Sequence, residues 1–205
     1  MFAEPILHVT DEDAIVHDRS ASFFKIAYKM VRRVLIVDTS REIIGLLREH
    51  ILSMFPHVAV DYSMSGQDAL NRMKLDSTGD IVSHEYDIIV VDEHCCATSE
   101  GSEHNEREDF RRNVMTGSQL LKLIHESESR HSEKNCCSEN SDKSQRKSLM
   151  IGMTTDMSED CNSLRRGGAD LLWSKPPPRP TNCLRNQLLN TLLNKRGKSI
   201  FICGC

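Results

Sequence analysis

The chain has 205 residues, enough for one domain with a substantial buried core. Its formal net charge of -4 argues against the basic surface that binds nucleic acid or anionic membranes. The sequence contains no apolar run long enough to span a membrane, and its first residues lack the pattern of a signal peptide. We therefore expect an intracellular protein, in the cytoplasm or the nucleus, without direct nucleic-acid binding.

The chain contains eight cysteines, among them the adjacent pairs Cys95-Cys96 and Cys136-Cys137. Because nothing indicates secretion, we expect free thiols rather than a disulfide framework. Zinc ribbons space their cysteines two residues apart, and directly adjacent cysteines chelate poorly. The pattern therefore does not favour a zinc site.

Strands and helices alternate in the predicted elements. Strands are predicted, in chain order, in RVLIVD, HVAVDYS, YDIIVVD, SLMIGMTT and ADLLWSK. A helix is predicted after each strand, in REIIGLLREHILSMF, SGQDALNRMK, TGSQLLKLIHES, SEDCNSLRRGG and TNCLRNQLLNTLLNKRG. Ser40 and Ser65 are placed to cap the first two helices, and Gly167 and Gly168 to end the fourth. Nearly all-apolar strands in this alternation predict an α/β fold with a parallel sheet covered on both faces.

Polar, charge-mixed segments interrupt this alternation at 95–113 and 126–147. They contain too few apolar residues to offset the entropy lost on ordering, so we predict two flexible insertions. The domain itself is predicted to span 32–195. An N-terminal extension, 1–31, contains apolar residues at helical spacing, and a short tail, 196–205, follows the domain.

Polar side chains follow four of the five predicted strands. They are Asp38 and Thr39 after the first strand, Asp92 after the third, Thr154 and Thr155 after the fourth, and Lys175 after the fifth. Because open parallel sheets bind ligands beyond the carboxyl ends of their strands, we expect these side chains to converge. Carboxylates suit Mg²⁺, and an ammonium with hydroxyls suits a phosphoryl group. Asp87, at the start of the third strand, is expected at the opposite edge in a structural role.

The span from about Arg32 to Leu193 resembles the receiver domain of two-component response regulators, including chemotaxis regulators. The matching pieces are VLIVDTS, YSMSGQDAL, YDIIVVDEH, MTGSQLLKLI, IGMTTD and GGADLLWSKP. The resemblance implies a flavodoxin-like (βα)5 doubly wound sheet of five parallel strands in the order 2-1-3-4-5. It also implies a phosphoacceptor rather than an enzyme, with at most self-catalysed phosphotransfer and autodephosphorylation.

The resemblance assigns Asp92 as the residue that accepts a phosphoryl group from a phosphohistidine. Lys175 and Thr154 would contact the transferred group, and the Lys175-Pro176 peptide bond would be cis. The implied donor is a histidine kinase or a histidine phosphotransfer protein. The downstream partner is not identified by the sequence.

The resemblance also implies a Mg²⁺ site. Its ligands would be Asp38, Asp92 and the backbone carbonyl of His94. Receivers usually have a second acid after the first strand, where this chain has Thr39, which brings no charge and would be a weak ligand. We therefore expect weak Mg²⁺ binding, with phosphorylation impaired rather than excluded.

Further departures concern the switching residues of receivers. Three residues before the lysine, where receivers place Tyr or Phe, this chain has Leu172. The adjacent Trp173 is expected to pack in the core on the opposite face of the strand. Thr155 stands where a small residue usually leaves room for the phosphoryl group.

Three alternatives remain beside an active receiver. The first is a pseudo-receiver that binds a protein partner without phosphate, which Thr39 and Leu172 favour. The second is a phosphatase of the haloacid dehalogenase type, but DTS lacks the second carboxylate of its D-x-D motif. The third is a flavodoxin-like nucleotide or flavin site, but no Gly-rich phosphate loop follows the first strand.

Overall fold

The computed structural model describes residues 29–73, 85–95, 115–134 and 147–197. Within these ranges, five strands alternate with five helices. They are β1 Arg33–Val37, α1 Arg41–Met54, β2 Ala59–Ser63, α2 Gly66–Arg72, β3 Ile88–Asp92, α3 Gly117–Lys134, β4 Leu149–Thr154, α4 Cys161–Arg166, β5 Leu171–Ser174 and α5 Asn182–Lys195.

The five strands form one sheet in the order β2-β1-β3-β4-β5, and each neighbouring pair is parallel. This confirms the predicted flavodoxin-like topology and its strand order. The register pairs Val37 with Val91 and Asp92 with Met153. The carboxyl ends of β1, β3 and β4 are therefore level, and the residues that follow them share one edge of the sheet.

Two hydrophobic cores lie on the two faces of the sheet. In β1, Val34 and Ile36 belong to the core that α1 and α5 cover, while Leu35 and Val37 belong to the other. The second core includes Leu120, Leu121 and Ile124 of α3 and Leu164 of α4. Alternate strand residues point to opposite faces, so a strand buried on both faces has to be apolar throughout. The predicted double covering of the sheet is confirmed.

The predicted caps of α1 and α2 and the predicted end of α4 are also confirmed. The Ser40 hydroxyl accepts a hydrogen bond from the backbone N–H of Ile43, at 3.3 Å, and caps α1. The Ser65 hydroxyl accepts one from the N–H of Asp68, at 3.1 Å, and caps α2. After α4, Gly168 has φ +99°, a left-handed conformation that residues with a Cβ rarely adopt.

The edge opposite the predicted site is closed by Asp87. Its Oδ2 accepts hydrogen bonds from the backbone N–H groups of Arg32 and Arg33, and its Oδ1 pairs with the Arg196 guanidinium at 2.7 Å. The expected structural role of Asp87 is therefore confirmed. Arg196, which we assigned to the tail, instead ties the end of α5 to the sheet.

The third helix is longer than predicted. It continues to Lys134, so the second insertion does not begin at residue 126. Ser127 and Glu128 are buried, and Oε1 of Glu128 accepts a hydrogen bond from the backbone N–H of Ser148 at 2.9 Å. Composition indicated a polar loop because it does not reveal that these polar groups have partners inside the fold.

The remaining parts of the predicted extension, insertions and tail lie at 1–28, 96–114, 135–146 and 198–205, outside the described residues. Cys161 is a free thiol, as expected, but the expectation is wrong for Cys183, which is in a disulfide. Among the helices that the structure describes, none is long and apolar enough to cross a membrane.

Candidate functional site

Three of the predicted site residues meet at the carboxyl edge of the sheet. The Lys175 ammonium nitrogen lies 2.8 Å from Oδ2 of Asp38 and 3.0 Å from Oδ2 of Asp92. Asp38 is fully buried, and the side chains of Asp92 and Lys175 are 4% and 15% exposed. One ammonium is therefore shared by two buried carboxylates that arrive from different strands.

The chain around Asp38 fixes the direction of its carboxylate. The backbone N–H of Asp38 donates to the carbonyl of Ser63, and the N–H of Ser40 donates to Oδ1 of Asp38 at 2.7 Å. Because α1 begins directly after Ser40, the turn that starts the helix also orients the acid. The other oxygen, Oδ2, contacts the Lys175 ammonium. This contact is an ion pair whose geometry does not make a hydrogen bond.

Burial and charge act against each other in this cluster. Burial raises the pKa of Asp92, and the like charge of Asp38 adds to the rise, although Lys175 and His94 oppose it. Burial by itself lowers the pKa of Lys175, but the two carboxylates more than offset it, so the pKa of Lys175 is raised. Lys175 is therefore charged at neutral pH, whereas ionisation of the buried Asp92 lowers the stability of the folded state.

The hydroxyl of Thr154 is already hydrogen bonded within the protein. Thr154 is fully buried and donates to Oδ2 of Asp160, while the N–H of Asp156 donates to the Thr154 oxygen at 3.0 Å. The same Oδ2 of Asp160 lies 3.1 Å from Nε2 of His94, whose side chain is 63% exposed. Asp160 was missed by sequence reasoning, because an acid at the start of a predicted helix indicates only a cap.

The residue after Asp92 connects β3 to α3. The carboxylate of Glu93, which is buried, accepts hydrogen bonds from both the backbone N–H and the hydroxyl of Ser118. The N–H of Gly117 donates to the Glu93 carbonyl at 2.9 Å. A Cβ at Gly117 would lie 2.3 Å from the backbone oxygen of Asp92. The start of α3 thus packs directly against the backbone of the predicted phosphoacceptor.

The positions that depart from receivers differ in their surroundings. Thr39 and Thr155 are exposed. Leu172 packs against the core that α3 and α4 cover, whereas Trp173 is buried in the core on the other face. The predicted placement of Trp173 is confirmed, as is the cis peptide bond between Lys175 and Pro176.

The residues present fit a hard cation such as Mg²⁺ in part. Both carboxylates lie within 3.0 Å of one ammonium, so one small cation could reach both, and Oδ2 of Asp38 is a buried oxygen without a hydrogen bond. Among the described residues, however, no group of three or more His, Cys, Asp or Glu side chains could hold a metal ion. A bound Mg²⁺ would therefore need backbone oxygens, hydroxyls or water as its further ligands.

No family model and no curated protein matches the chain. Solved structures of similar fold include the receiver domain of an HD domain-containing protein from Pseudomonas fluorescens, with a TM-score of 0.50, 17% identity, and coverage of 82% of this chain and 93% of that chain. Another is the receiver domain of a sensor histidine kinase from Pseudomonas aeruginosa with magnesium in its active-site cleft, with a TM-score of 0.48, 15% identity, and coverage of 82% and 98%. The chemotaxis protein CheY4 of Vibrio cholerae has a TM-score of 0.43, 18% identity, and coverage of 83% and 99%.

Further solved structures of similar fold are also described as receiver domains, with TM-scores of 0.45 and 0.44. At these identities the likeness establishes the fold and not the activity. The sheet order and the likeness to the domain from Pseudomonas fluorescens show the flavodoxin-like fold that the sequence predicted.

Proposed function

We propose that the chain is a response-regulator receiver domain in which Asp92 accepts a phosphoryl group from a phosphohistidine donor. The observation that carries the proposal is the Lys175 ammonium lying within 3.0 Å of the carboxylates of Asp38 and Asp92 at the carboxyl edge of a 2-1-3-4-5 sheet. A nucleophilic carboxylate, a second acid and a fixed cation at one point are the groups that transfer of a phosphoryl group to an acid requires.

In the proposed reaction, a carboxylate oxygen of Asp92 attacks the phosphorus atom of the donor. The new P–O bond forms as the P–N bond to the donor imidazole breaks, and the imidazole nitrogen keeps the electron pair. Lys175 is oriented towards Asp92 before the donor arrives, so its charge can stabilise the oxygens of the transferred group without reorganisation. The product is an acyl phosphate on Asp92.

The proposed ligands of Mg²⁺ are Asp38, Asp92, the His94 carbonyl and, more weakly, Thr39. When bound there, Mg²⁺ would neutralise part of the negative charge that accumulates as the phosphate approaches two carboxylates. Asp38 contributes a rigid, buried acid, because its Oδ1 is fixed by the Ser40 N–H. Thr39 contributes no charge, which supports the expectation of weak Mg²⁺ binding.

The test is incubation of the full chain with acetyl phosphate and Mg²⁺, followed by intact mass measurement. We expect one phosphoryl group per chain, removed by hydroxylamine as an acyl phosphate should be. Asp92→Asn should remain unmodified. Asp87→Asn removes the acid directly before β3, at the opposite edge of the sheet, and should still be modified if it folds. Modification that persists in Asp92→Asn would refute the assignment.

The second candidate is a pseudo-receiver that binds a protein partner without phosphate. It is favoured by the Thr154 hydroxyl, which is engaged by Asp160, and by an exposed Thr39 in place of the second acid. Absence of phosphate on wild-type protein at any Mg²⁺ concentration would support this candidate. A histidine kinase or a histidine phosphotransfer protein is the proposed partner only if Asp92 is phosphorylated.

A further inference from the structure

The contact between Thr154 and Asp160 has a consequence for any phosphoryl group on Asp92. A threonine hydroxyl has one proton, and that of Thr154 is donated to Oδ2 of Asp160. The oxygen of the hydroxyl also accepts the N–H of Asp156. An incoming phosphoryl oxygen, which is an acceptor, therefore finds no proton on Thr154 while this arrangement persists.

The surroundings of Asp160 indicate that this contact is preferred. Asp160 lies at the N-terminal end of α4, where an aspartate commonly accepts a backbone N–H of the helix. Here its side chain makes no such capping bond. It turns instead to Thr154 and to His94, whose Nε2 lies 3.1 Å from the same oxygen.

The three side chains connect the ends of two strands. Thr154 ends β4, and His94 comes two residues after Asp92, which ends β3. The Asp160 side chain is only 15% exposed, so its hydrogen bonds are largely protected from water and are stronger than surface contacts.

We propose that Asp160 controls the proposed phosphorylation site by holding the Thr154 hydroxyl. This inference rests on the proposed function. A phosphoryl group on Asp92 gains a hydrogen bond from Thr154 only after Asp160 has released it, so the contact opposes the phosphorylated state. Asp160 is a positioning residue, because it acts on the phosphoryl group through Thr154 rather than by touching it.

The experiment compares steady-state phosphorylation of the full chain by acetyl phosphate and Mg²⁺, measured by intact mass. The variants are Asp160→Ala, Thr154→Val and the double variant. Loss of a hydrogen bond to a charged group corresponds to roughly a tenfold change in an equilibrium constant. We therefore expect Asp160→Ala to raise the ratio of phosphorylated to unmodified chain about tenfold, and to change it little when Thr154 is already Val.

Two further variants test whether release of the Thr154 hydroxyl, rather than loss of a charge or of folding, causes the increase. Glu159→Ala removes the same charge from the neighbouring exposed position and should leave the ratio unchanged. Asp160→Asn keeps the shape of the side chain. Its amide oxygen still accepts a hydrogen bond, which Ala cannot, but more weakly than a carboxylate, so we expect a smaller increase than with Ala. It serves if Asp160→Ala does not fold.

Each outcome distinguishes the inference from the proposed function. An increase that persists in the Thr154→Val background, or that Glu159→Ala reproduces, would assign the effect to charge repulsion and overturn the inference. Equal phosphorylation of all the variants would also overturn it and leave the proposed function intact. No phosphorylation of any chain, wild type included, would overturn the proposed function and the inference with it.

Discussion

A single ammonium holds two buried carboxylates together at the proposed site. Lys175 contacts Asp38 and Asp92 at the same time, and each of the three side chains is at least 85% removed from water. Desolvation of charges is expensive unless the partners are close, so the two buried carboxylates depend on the Lys175 ammonium. The raised pKa of Asp92 indicates that, even with Lys175 present, burial of this charge opposes folding.

We expect Asp92→Asn to raise the melting temperature at pH 7. Because burial raises the pKa of Asp92 in the folded state, the unfolded chain loses this proton first as the pH rises. Stability therefore falls as the pH rises from the unfolded pKa through the folded pKa, and remains lower above it. The Asn variant does not experience this loss, so its advantage should shrink as the pH is lowered through that range.

Thermal melts of both proteins between pH 3.5 and pH 8 would measure this effect. Glu49→Gln, on the exposed side of α1, removes one carboxylate without relieving burial and should leave the melting temperature nearly unchanged. An Asn variant that melts below wild type at pH 7 would mean that the ion pair with Lys175 outweighs the cost of burying Asp92.

Lys175→Met is expected to destabilise the fold by about 3 kcal/mol, because it leaves two buried carboxylates beside each other without a cation. The loss should be smaller when Asp92 is already Asn, since only the charge of Asp38 then lacks its partner. Urea unfolding of the four proteins of this double-mutant cycle measures the difference. Equal losses in both backgrounds would show that Lys175 stabilises the fold through Asp38 alone.

At the scale of elements, the junction between β3 and α3 positions Asp92, the proposed phosphoacceptor. Glu93 binds the first turn of α3 through Ser118, and Gly117 packs against the backbone oxygen of Asp92. Only a residue without a Cβ can approach the backbone so closely. The first helical residue of α3 therefore fixes how far the end of β3 lies from the helix.

Gly117→Ala is expected to lower both the melting temperature and the extent of phosphorylation. Its Cβ would overlap the backbone of Asp92 and Glu93, so the junction has to move and carries Asp92 with it. Gly45→Ala in α1 is the matched control, since a Cβ there meets no atom within 4 Å and should stabilise the helix by roughly 0.5–1 kcal/mol. Unchanged phosphorylation of a destabilised Gly117→Ala would separate the packing of the junction from the site.

At the scale of the whole molecule, Asp87 and Arg196 join separate segments of the described fold at the edge opposite the site. Asp87 accepts hydrogen bonds from the backbone N–H groups of Arg32 and Arg33, at the start of β1, and pairs with Arg196 after α5. Both side chains of this pair are at most 5% exposed. A buried carboxylate thus joins the two ends of the described fold to its central strand.

Arg196→Met is expected to cost about 3 kcal/mol of unfolding free energy, because Asp87 keeps its charge but loses its cation. Arg72→Ala breaks the exposed ion pair with Asp68 within α2 and should cost no more than about 0.5 kcal/mol. Urea unfolding of the two variants compares a buried with an exposed arginine pair. Similar small losses in both would mean that water replaces the guanidinium at Asp87.

The sequence by itself determined the fold class, the strand order through its resemblance, the caps of α1 and α2, and the edge at which Asp38, Asp92 and Lys175 meet. These features follow from local patterns, since an apolar run ends where its strand leaves the core and parallel strands end on one edge. Trp173 could be placed for the same reason, because alternation along a strand assigns its face.

Only the tertiary structure decided which polar groups found partners. Asp160 binds Thr154 across a turn, Glu128 satisfies the N–H of Ser148, and Arg196 reaches Asp87 from the far end of the chain. The sequence placed these residues in a predicted helix, an insertion and a tail, because hydrogen bonds between segments distant in sequence leave no periodic pattern. Whether a polar residue is solvated or buried with a partner depends on what the fold brings beside it.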